Sequence, residues 1–427
     1  MSIYPPHSNG DFGTIRHTIC IGGEIVTGNI EYMSGVKSLK DIDVTGKRVL
    51  IRVDFNVPMD SHGNISDDSR IRAALPTINY CIDHNACSIT LVSHLGRPKG
   101  EYDEKYSLKH IQKRLERLLG KRVVFVEDFE EKRDEIASCS LERVFLLENI
   151  RFHPGEKKND PELSRRLAGI CDIYVNDAFG TSHRKHASTY GITDYVETKV
   201  AGFLMMREIE AFAKALEKPM RPIALVVGGA KISSKTTLLK SVMTRIDKLL
   251  IGGAMSNTFL KALGYDMQSS LYEEEFVETA MEVMKEAREN GVKLYLPVDL
   301  VITNDIEHPI DVKVVPAQDI LEEFKAVDIG PATVKYFSEA IELSNTVIWN
   351  GPMGIYEIEN FSRGTFKIAS AIADSYAYTI VGGGDTADAV EKAGEKENFS
   401  FISTGGGASL ELLEGKILPG FEKLDRR

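Results

Sequence analysis

The C-terminal half of the chain repeatedly stops an apolar run in glycine, and this restricts its fold more than any other feature. Ile223–Val227 stops at Gly228-Gly229-Ala230-Lys231, residues 249–251 at Gly252-Gly253, Tyr378–Val381 at Gly382-Gly383-Gly384-Asp385, and residues 399–404 at Gly405-Gly406-Gly407. The N-terminal half ends similar runs in cations. Residues 89–93 lead into His94-Leu95-Gly96-Arg97, and residues 144–149 into Ile150-Arg151. Short continuous apolar runs suit parallel strands covered on both faces. Open parallel sheets bind ligands beyond the carboxyl ends of their strands. One half therefore offers bare backbone, which suits a nucleotide, and the other offers guanidinium groups, which suit a small anion.

A chain of 427 residues exceeds what one core supports, about 250–300 residues, so two domains are expected. Strands are expected at 49–53, 89–93, 123–126, 144–147 and 173–175 in the first half. In the second half they are expected at 223–227, 248–251, 293–297, 346–349, 378–381 and 400–403. Helical spacing between them, as in Leu108-Ile111-Leu115-Leu118-Leu119 and Phe276-Ala280-Val283-Met284-Ala287 before Asn290-Gly291, gives an α/β class. The seam falls near 196–222. There Met205, Ile209, Phe212, Ala213 and Leu216 form one helical apolar face, ended by Pro219 and Pro222, as a hinge helix would.

Glycine is ordinary in number, 35 residues, so its placement is the signal. The charge, 52 cations against 63 anions for a net −11, argues against nucleic-acid or anionic-membrane partners. Cys20, Cys81, Cys87, Cys139 and Cys171 show no metal or disulfide spacing and read as idle thiols of a reducing compartment. No apolar stretch reaches the 18 residues of a membrane span. Residues 1–32 lack a secretory pattern and read as a disordered tail or an early start, with Met33 opening a more ordinary beginning.

The segment Gly228-Gly229-Ala230-Lys231-Ile232-Ser233-Ser234-Lys235-Thr236 reads either as a phosphate cradle or as a tight turn with exposed lysines. It is not a Walker A loop, because Ser234 precedes Lys235. Gly382-Gly383-Gly384-Asp385-Thr386-Ala387 matches a degenerate dinucleotide pattern, but the next strand ends in Ser403-Thr404-Gly405 without the acidic ribose ligand. Asp385 either caps a helix or holds Mg²⁺ on nucleotide phosphates, since that ion needs only one or two carboxylates. Glu357, after Trp349-Asn350-Gly351-Pro352-Met353-Gly354, is either a ribose acceptor or a surface acid. Arg52-Val53-Asp54-Phe55-Asn56, Asp67-Asp68-Ser69-Arg70, His94, Arg97, Arg151 and Thr181-Ser182-His183-Arg184 would together build an anion pocket for phosphate and carboxylate. Protein-kinase, α/β-hydrolase and zinc-protease signatures are absent.

Taken in order, Arg52–Pro58, Ser93–Pro98, Glu148–Phe152, Asn176–Gly180, Gly228–Lys231, Trp349–Pro352, Gly382–Asp385 and Ser403–Ser409 closely resemble the phosphoglycerate kinase family over roughly residues 33–427. The resemblance implies two doubly wound parallel-sheet domains with a hinge helix, and a C-terminal segment returning to the N-terminal domain. The implied boundaries are an extension at 1–32, a phosphoglycerate domain at 33–200, a hinge at 201–220, a nucleotide domain at 221–405 and a return segment at 406–427. It implies reversible Mg²⁺-dependent phosphoryl transfer between 1,3-bisphosphoglycerate with ADP and 3-phosphoglycerate with ATP, by a cytoplasmic monomer. Asp54, Phe55, Asn56, Arg70, His94, Leu95, Gly96, Arg97, Arg151, His183 and Arg184 would bind the phosphoglycerate. Gly229, Ala230, Lys231, Lys235, Gly252, Gly253, Gly330, Asn350, Glu357, Gly383, Gly384, Asp385 and Thr386 would contact the nucleotide, with Asp385 on the metal. Arg70, Lys231, Gly384 and Gly406 would stabilise the transferring group. The rivals are a nicotinamide-dependent oxidoreductase, resting on Gly382–Ala387 alone, and a catalytically dead nucleotide-binding regulator, which the intact Arg70, Lys231 and Asp385 disfavour.

Overall fold

The computed structural model describes residues 19–21, 24–26, 29–60, 62–138 and 143–427. Six parallel strands form the N-terminal sheet, in the spatial order Val123–Val126, Arg143–Leu147, Ser88–Val92, Arg48–Val53, Ile173–Asp177 and Thr198–Ala201. Ile51 lies between Leu91 and Val175 in register. The first strand of this sheet in sequence, Arg48–Val53, is thus central, and crossovers leave it in opposite directions. The C-terminal sheet repeats the plan in the order Lys293–Tyr295, Lys248–Ile251, Ile223–Val227, Thr346–Asn350, Tyr378–Val381 and Phe401–Ile402. Each half therefore has a topological switch point, where doubly wound sheets open a crevice. One opens beyond Val53 and the other beyond Val227.

Most strand bounds expected from the apolar runs hold within two residues. Thr198–Ala201 was not anticipated, nor was a three-stranded antiparallel sheet with Asp299–Thr303 between Val312–Pro316 and Lys325–Ile329. The reason is local. Val312–Pro316 is largely exposed and carries no continuous apolar run.

The interdomain helix is Phe203–Leu216, buried at Leu204, Met205, Met206, Glu208, Ile209, Ala211, Phe212 and Ala215. That is wider than one apolar face. The breadth follows from its position, since one continuous core joins Tyr174, Phe179 and Leu50 of the first half to Leu225, Leu249 and Ile348 of the second through Met205, Ile209 and Phe212.

Residues 414–427 return to the N-terminal sheet, burying Leu418, Phe421 and Leu424 in the same core. Gly420 N–H donates to the Ser182 carbonyl at 2.8 Å and Asn176 Nδ2 donates to the Gly420 carbonyl at 3.1 Å. No break falls at the expected 32/33 boundary. The helix Asn29–Ser34 spans it and buries Ile30 and Met33 against this region. The rest of the expected tail lies mostly outside the described residues. Cys81 and Cys171 are buried free thiols, whereas Cys87 is disulfide-bonded, which five idle thiols did not foresee. Among the described residues no helix is long and apolar enough to cross a membrane.

Candidate functional site

The N-terminal crevice is built on the loop after Arg48–Val53. Asp54 Oδ2 accepts from Arg70 Nη1 at 2.8 Å, and its Oδ1 lies 3.8 Å from His94 Nδ1. Arg70 reaches it from the first turn of helix Ser69–Asp83, whose start is fixed by Asp67 accepting from Ser69 N–H at 2.8 Å. Burial would raise the Asp54 carboxyl, but Arg70, His94 and Arg52 together hold it down at about 2. Asn56 Oδ1 accepts from Gly96 N–H at 2.7 Å, and Arg151 Nη1 donates to the Gly96 carbonyl at 2.8 Å. Burial and the neighbouring Arg52 and Arg184 lower Arg151 to about 10. Burial and Arg184 lower His183 to about 4, and burial also keeps His94 well below its usual value.

Two expected substrate residues point elsewhere. The Phe55 and Leu95 side chains belong to the core under the sheet, turned inward by the loops that follow the strands, so only their backbone is available to the crevice. Arg97 and Arg184 are exposed at its rim. Buried polar atoms without a partner include Arg151 Nε, His183 Nδ1 and His186 Nδ1. Such unpaired groups are costly unless a ligand completes them. An excess of guanidinium and imidazole over the two buried acids Asp54 and Glu156 suits an anion.

In the C-terminal half a cavity of about 750 Å³ opens beyond Ile223–Val227. Its walls include Gly229, Ala230, Gly253, Pro352, Glu357 and Asp385. Close backbone approach explains the glycines. Gly351 has φ +101° and a Cβ there would lie 2.2 Å from the Gly228 carbonyl oxygen, while one on Gly253 would lie 2.6 Å from Gly229 N. Gly383, at φ +105°, precedes helix Gly384–Lys392, which puts exposed Gly384 and Asp385 at a free helix N-terminus. Lys231 is exposed, and burial lowers Lys235 to about 8 against the pull of Asp385 and Glu414.

Four expected nucleotide contacts are held by contacts within the fold. Asn350 Nδ2 donates to the Gly382 carbonyl at 2.7 Å, and Thr386 Oγ1 accepts from Gly351 N–H at 2.7 Å. Gly252 is packed under Met353, and Gly330 against the Asp299 carboxylate. Sequence reasoning missed Leu271, Tyr272, Leu300 and Ile306 on the cavity wall. Leu300 and Ile306 belong to the unforeseen antiparallel sheet and its connections, Leu271 and Tyr272 to the loop after helix Met255–Ala262, and none stands beside a glycine turn.

The two halves meet beside these crevices. A Cβ on Gly180 would lie 2.5 Å from Asp54 Oδ2 and 3.5 Å from the Thr404 carbonyl oxygen. One on Gly407 would lie 3.0 Å from His183 Nε2, and one on Gly406 would lie 3.4 Å from Gly384 N. Glu208, another residue not anticipated, reaches from the interdomain helix. It accepts from Thr404 N–H, Thr404 Oγ1 and Ser403 Oγ, each at 2.7 Å. Burial raises it to about 7 despite those donors.

Comparison with known proteins agrees with this geometry. The chain is 61% identical over 398 residues to a phosphoglycerate kinase of Wolinella succinogenes, covering 93% of this chain and 99% of that protein. It is 57% identical to one of Helicobacter pylori over the same shares. A solved phosphoglycerate kinase from Coxiella burnetii superposes with TM-score 0.81 at 40% identity, covering 91% of this chain and 98% of that one. Residues 39–416 match the family model described as phosphoglycerate kinase, and the chain belongs to the phosphoglycerate kinase family.

Proposed function

We propose that the protein transfers a phosphoryl group reversibly between 1,3-bisphosphoglycerate with ADP and 3-phosphoglycerate with ATP. The observation that carries the reading is the pairing of two unlike crevices. One is overfilled with cations and holds the partnerless Arg151 Nε. The other is a glycine-walled cavity ending at a helix N-terminus. Gly180 and Thr404 bring the backbones of the two halves together beside them.

The acceptor carboxylate is ionised at neutral pH, so it attacks without a general base. The chain's task is therefore placement and charge stabilisation. Arg151, Arg97, Arg184, His94 and His183 bind the phosphate and carboxylate of phosphoglycerate, with Asn56 and the backbone of Phe55, Leu95 and Gly96 shaping the pocket. Asp54, ionised throughout the working range, takes no proton and orients Arg70. Gly229, Ala230, Gly253 and Glu357 seat the nucleotide, while Gly252, Gly330, Asn350 and Thr386 hold that seat from beneath. Arg70 from one half and Lys231 with Lys235 from the other converge on the transferring group when the cleft closes. The amides of Gly383, Gly384 and Gly406 complete its cage. Closure also excludes water, which would hydrolyse the acyl phosphate.

Mg²⁺ fits this donor set as a passenger on the nucleotide. Asp385 offers one carboxylate at the cavity wall, which suffices for that ion. Among the described residues no cluster of three ligating side chains would hold a metal alone. When bound, the ion neutralises phosphate charge. We also assign residues 33–200 and 406–427 to the phosphoglycerate half, 201–220 to the hinge and 221–405 to the nucleotide half, in a cytoplasmic monomer.

The test is ATP consumption by purified protein with 3-phosphoglycerate and Mg²⁺, with the product drawn off by an NADH-coupled dehydrogenase. Turnover requiring both supports the reaction. Well-folded protein that binds ATP without turnover overturns it.

A further inference from the structure

The cation pocket rests on a buried acid that makes no contact with its open face. Glu156 is wholly buried. Its Oε2 accepts from Ser188 N–H at 2.9 Å, and its Oε1 accepts from Ser188 Oγ at 2.7 Å. Ser188 Oγ in turn accepts from Arg52 Nε at 2.9 Å, so the hydroxyl passes its proton side to the acid and its lone pair to the guanidinium. Arg52, also wholly buried, donates through Nη1 to the Val53 carbonyl. Its Nη2 lies 3.3 Å from His94 Nδ1, and that imidazole stands 3.8 Å from Asp54. A single path of short contacts therefore runs from Glu156 through Ser188 and Arg52 to the histidine at the crevice floor. His186 Nδ1 stands 3.7 Å from Glu156 Oε1, too far for a hydrogen bond, and is not part of the path.

We propose that Glu156 is a positioning residue for the phosphoglycerate pocket, fixing Arg52 and through it His94 by way of the Ser188 hydroxyl. The inference rests on the reaction proposed above. The physical need is clear. Arg52 sits among other cations, with Arg151 and Arg70 both acting on the same His94, and like charges in a buried site push apart. A guanidinium held by one carbonyl and one hydroxyl keeps its orientation only if the hydroxyl is itself held. Glu156 does that with both carboxylate oxygens, and its charge offsets part of the excess without occupying the ligand's place. Burial pushes the Glu156 carboxyl up, while Arg52 and the two Ser188 donors pull it back. Nothing in this path touches the nucleotide cavity, so its effect belongs to one substrate only.

The test measures both Michaelis constants in three variants. Ser188→Ala removes the link and leaves the Glu156 charge, and Glu156→Gln removes the charge. The double variant measures whether they act as one unit. The expected result is a rise of roughly tenfold in KM for 3-phosphoglycerate for either single variant, in line with loss of one buried charge-assisted link. The KM for ATP stays within twofold. The double variant is no worse than the poorer single one, because neighbours in one network are not additive. Glu156→Asp, which keeps the charge, recovers part of the loss. Ser188→Ala that melts as the parent does and keeps the parental KM for 3-phosphoglycerate overturns the proposal. So does an equal rise in both constants, which marks a general structural defect. A parent protein that turns over no 3-phosphoglycerate instead overturns the reaction itself, and direct binding of that compound to parent and Ser188→Ala then decides the positioning claim separately.

Discussion

Glu208 allows a quantitative check on how the two halves are joined. Its carboxyl is buried between the interdomain helix and the Ser403-Thr404 turn and ionises near 7 instead of its ordinary 4.5, because burial outweighs its hydrogen bonds. Below 4.5 the carboxyl is protonated in folded and unfolded chains alike and adds no pH dependence. Between 4.5 and 7 the unfolded chain releases the proton while the folded chain keeps it, so stability falls as pH rises. At about 1.4 kcal/mol per pH unit, the whole window amounts to about 3 kcal/mol and is complete above the folded value. Glu208→Gln removes this titration while retaining an acceptor for Thr404 and placing an amide beside Ser403 Oγ. Asp177 and Asp328, which burial also raises to about 7, give slopes of the same sign in both proteins and cancel in the comparison. Urea unfolding followed by two probes at several pH values between 5 and 8 is the assay, with coincident transitions required for a single free energy. The variant gains on the parent by most of that 3 kcal/mol across the range. Parallel pH profiles would refute the claim that this carboxyl holds its proton at the junction.

Three other outcomes are expected. Lys231→Ala lowers kcat by on the order of 10²-fold or more, as loss of one preorganised donor does, and a near-normal kcat in steady-state assays removes the residue from the transferring group. Gly351→Ala sets a Cβ 2.2 Å from the Gly228 carbonyl oxygen at φ +101°. Calorimetry should show a loss of roughly 1–3 kcal/mol from the backbone strain alone, with KM for ATP rising before KM for 3-phosphoglycerate. Lys248→Met removes an ammonium donating to the Ala340 and Leu343 carbonyls and to Ser344 Oγ at the end of helix Pro331–Glu342. Leaving those buried acceptors unpaired costs about 1–3 kcal/mol in denaturant unfolding, with kcat unchanged.

What the sequence made legible is what backbone chemistry forces. Gly228, Gly253 and Gly351 stand beyond strand ends where backbones approach too closely for a side chain, and Gly383 holds φ +105°, so their runs mark the carboxyl ends of the strands and the cavity beyond them. Arg151 was readable because it falls just past a strand end, and Arg70 because it follows Asp67-Asp68-Ser69 at a helix start. Glu156 was hidden in His153-Pro154-Gly155-Glu156-Lys157-Lys158, a stretch with the look of a surface turn, and only the return of Ser188 to its side reveals a buried acid. Phe55 and Leu95 misled for the opposite reason. They sit inside site motifs, yet the loops that follow the two strands turn their side chains into the core. Thr386 and Asn350 carry polar groups suited to a ligand, and what they bond is each other's backbone neighbourhood, a three-dimensional fact that no spacing encodes.

The return of residues 418–427 to the first sheet has a consequence for biosynthesis. Lys37 N–H donates to the Asp425 carbonyl at 2.7 Å, and Asp425 N–H donates to the Lys199 carbonyl at 2.8 Å. The half made first by the ribosome is thus completed last. While the C-terminal half is still being translated, the hollow destined for Leu418 and Phe421 stays exposed as a greasy notch. A nascent chain must carry that notch through the synthesis of more than half its length, and a ribosome that stalls near the end releases a product whose first domain is the unfinished one.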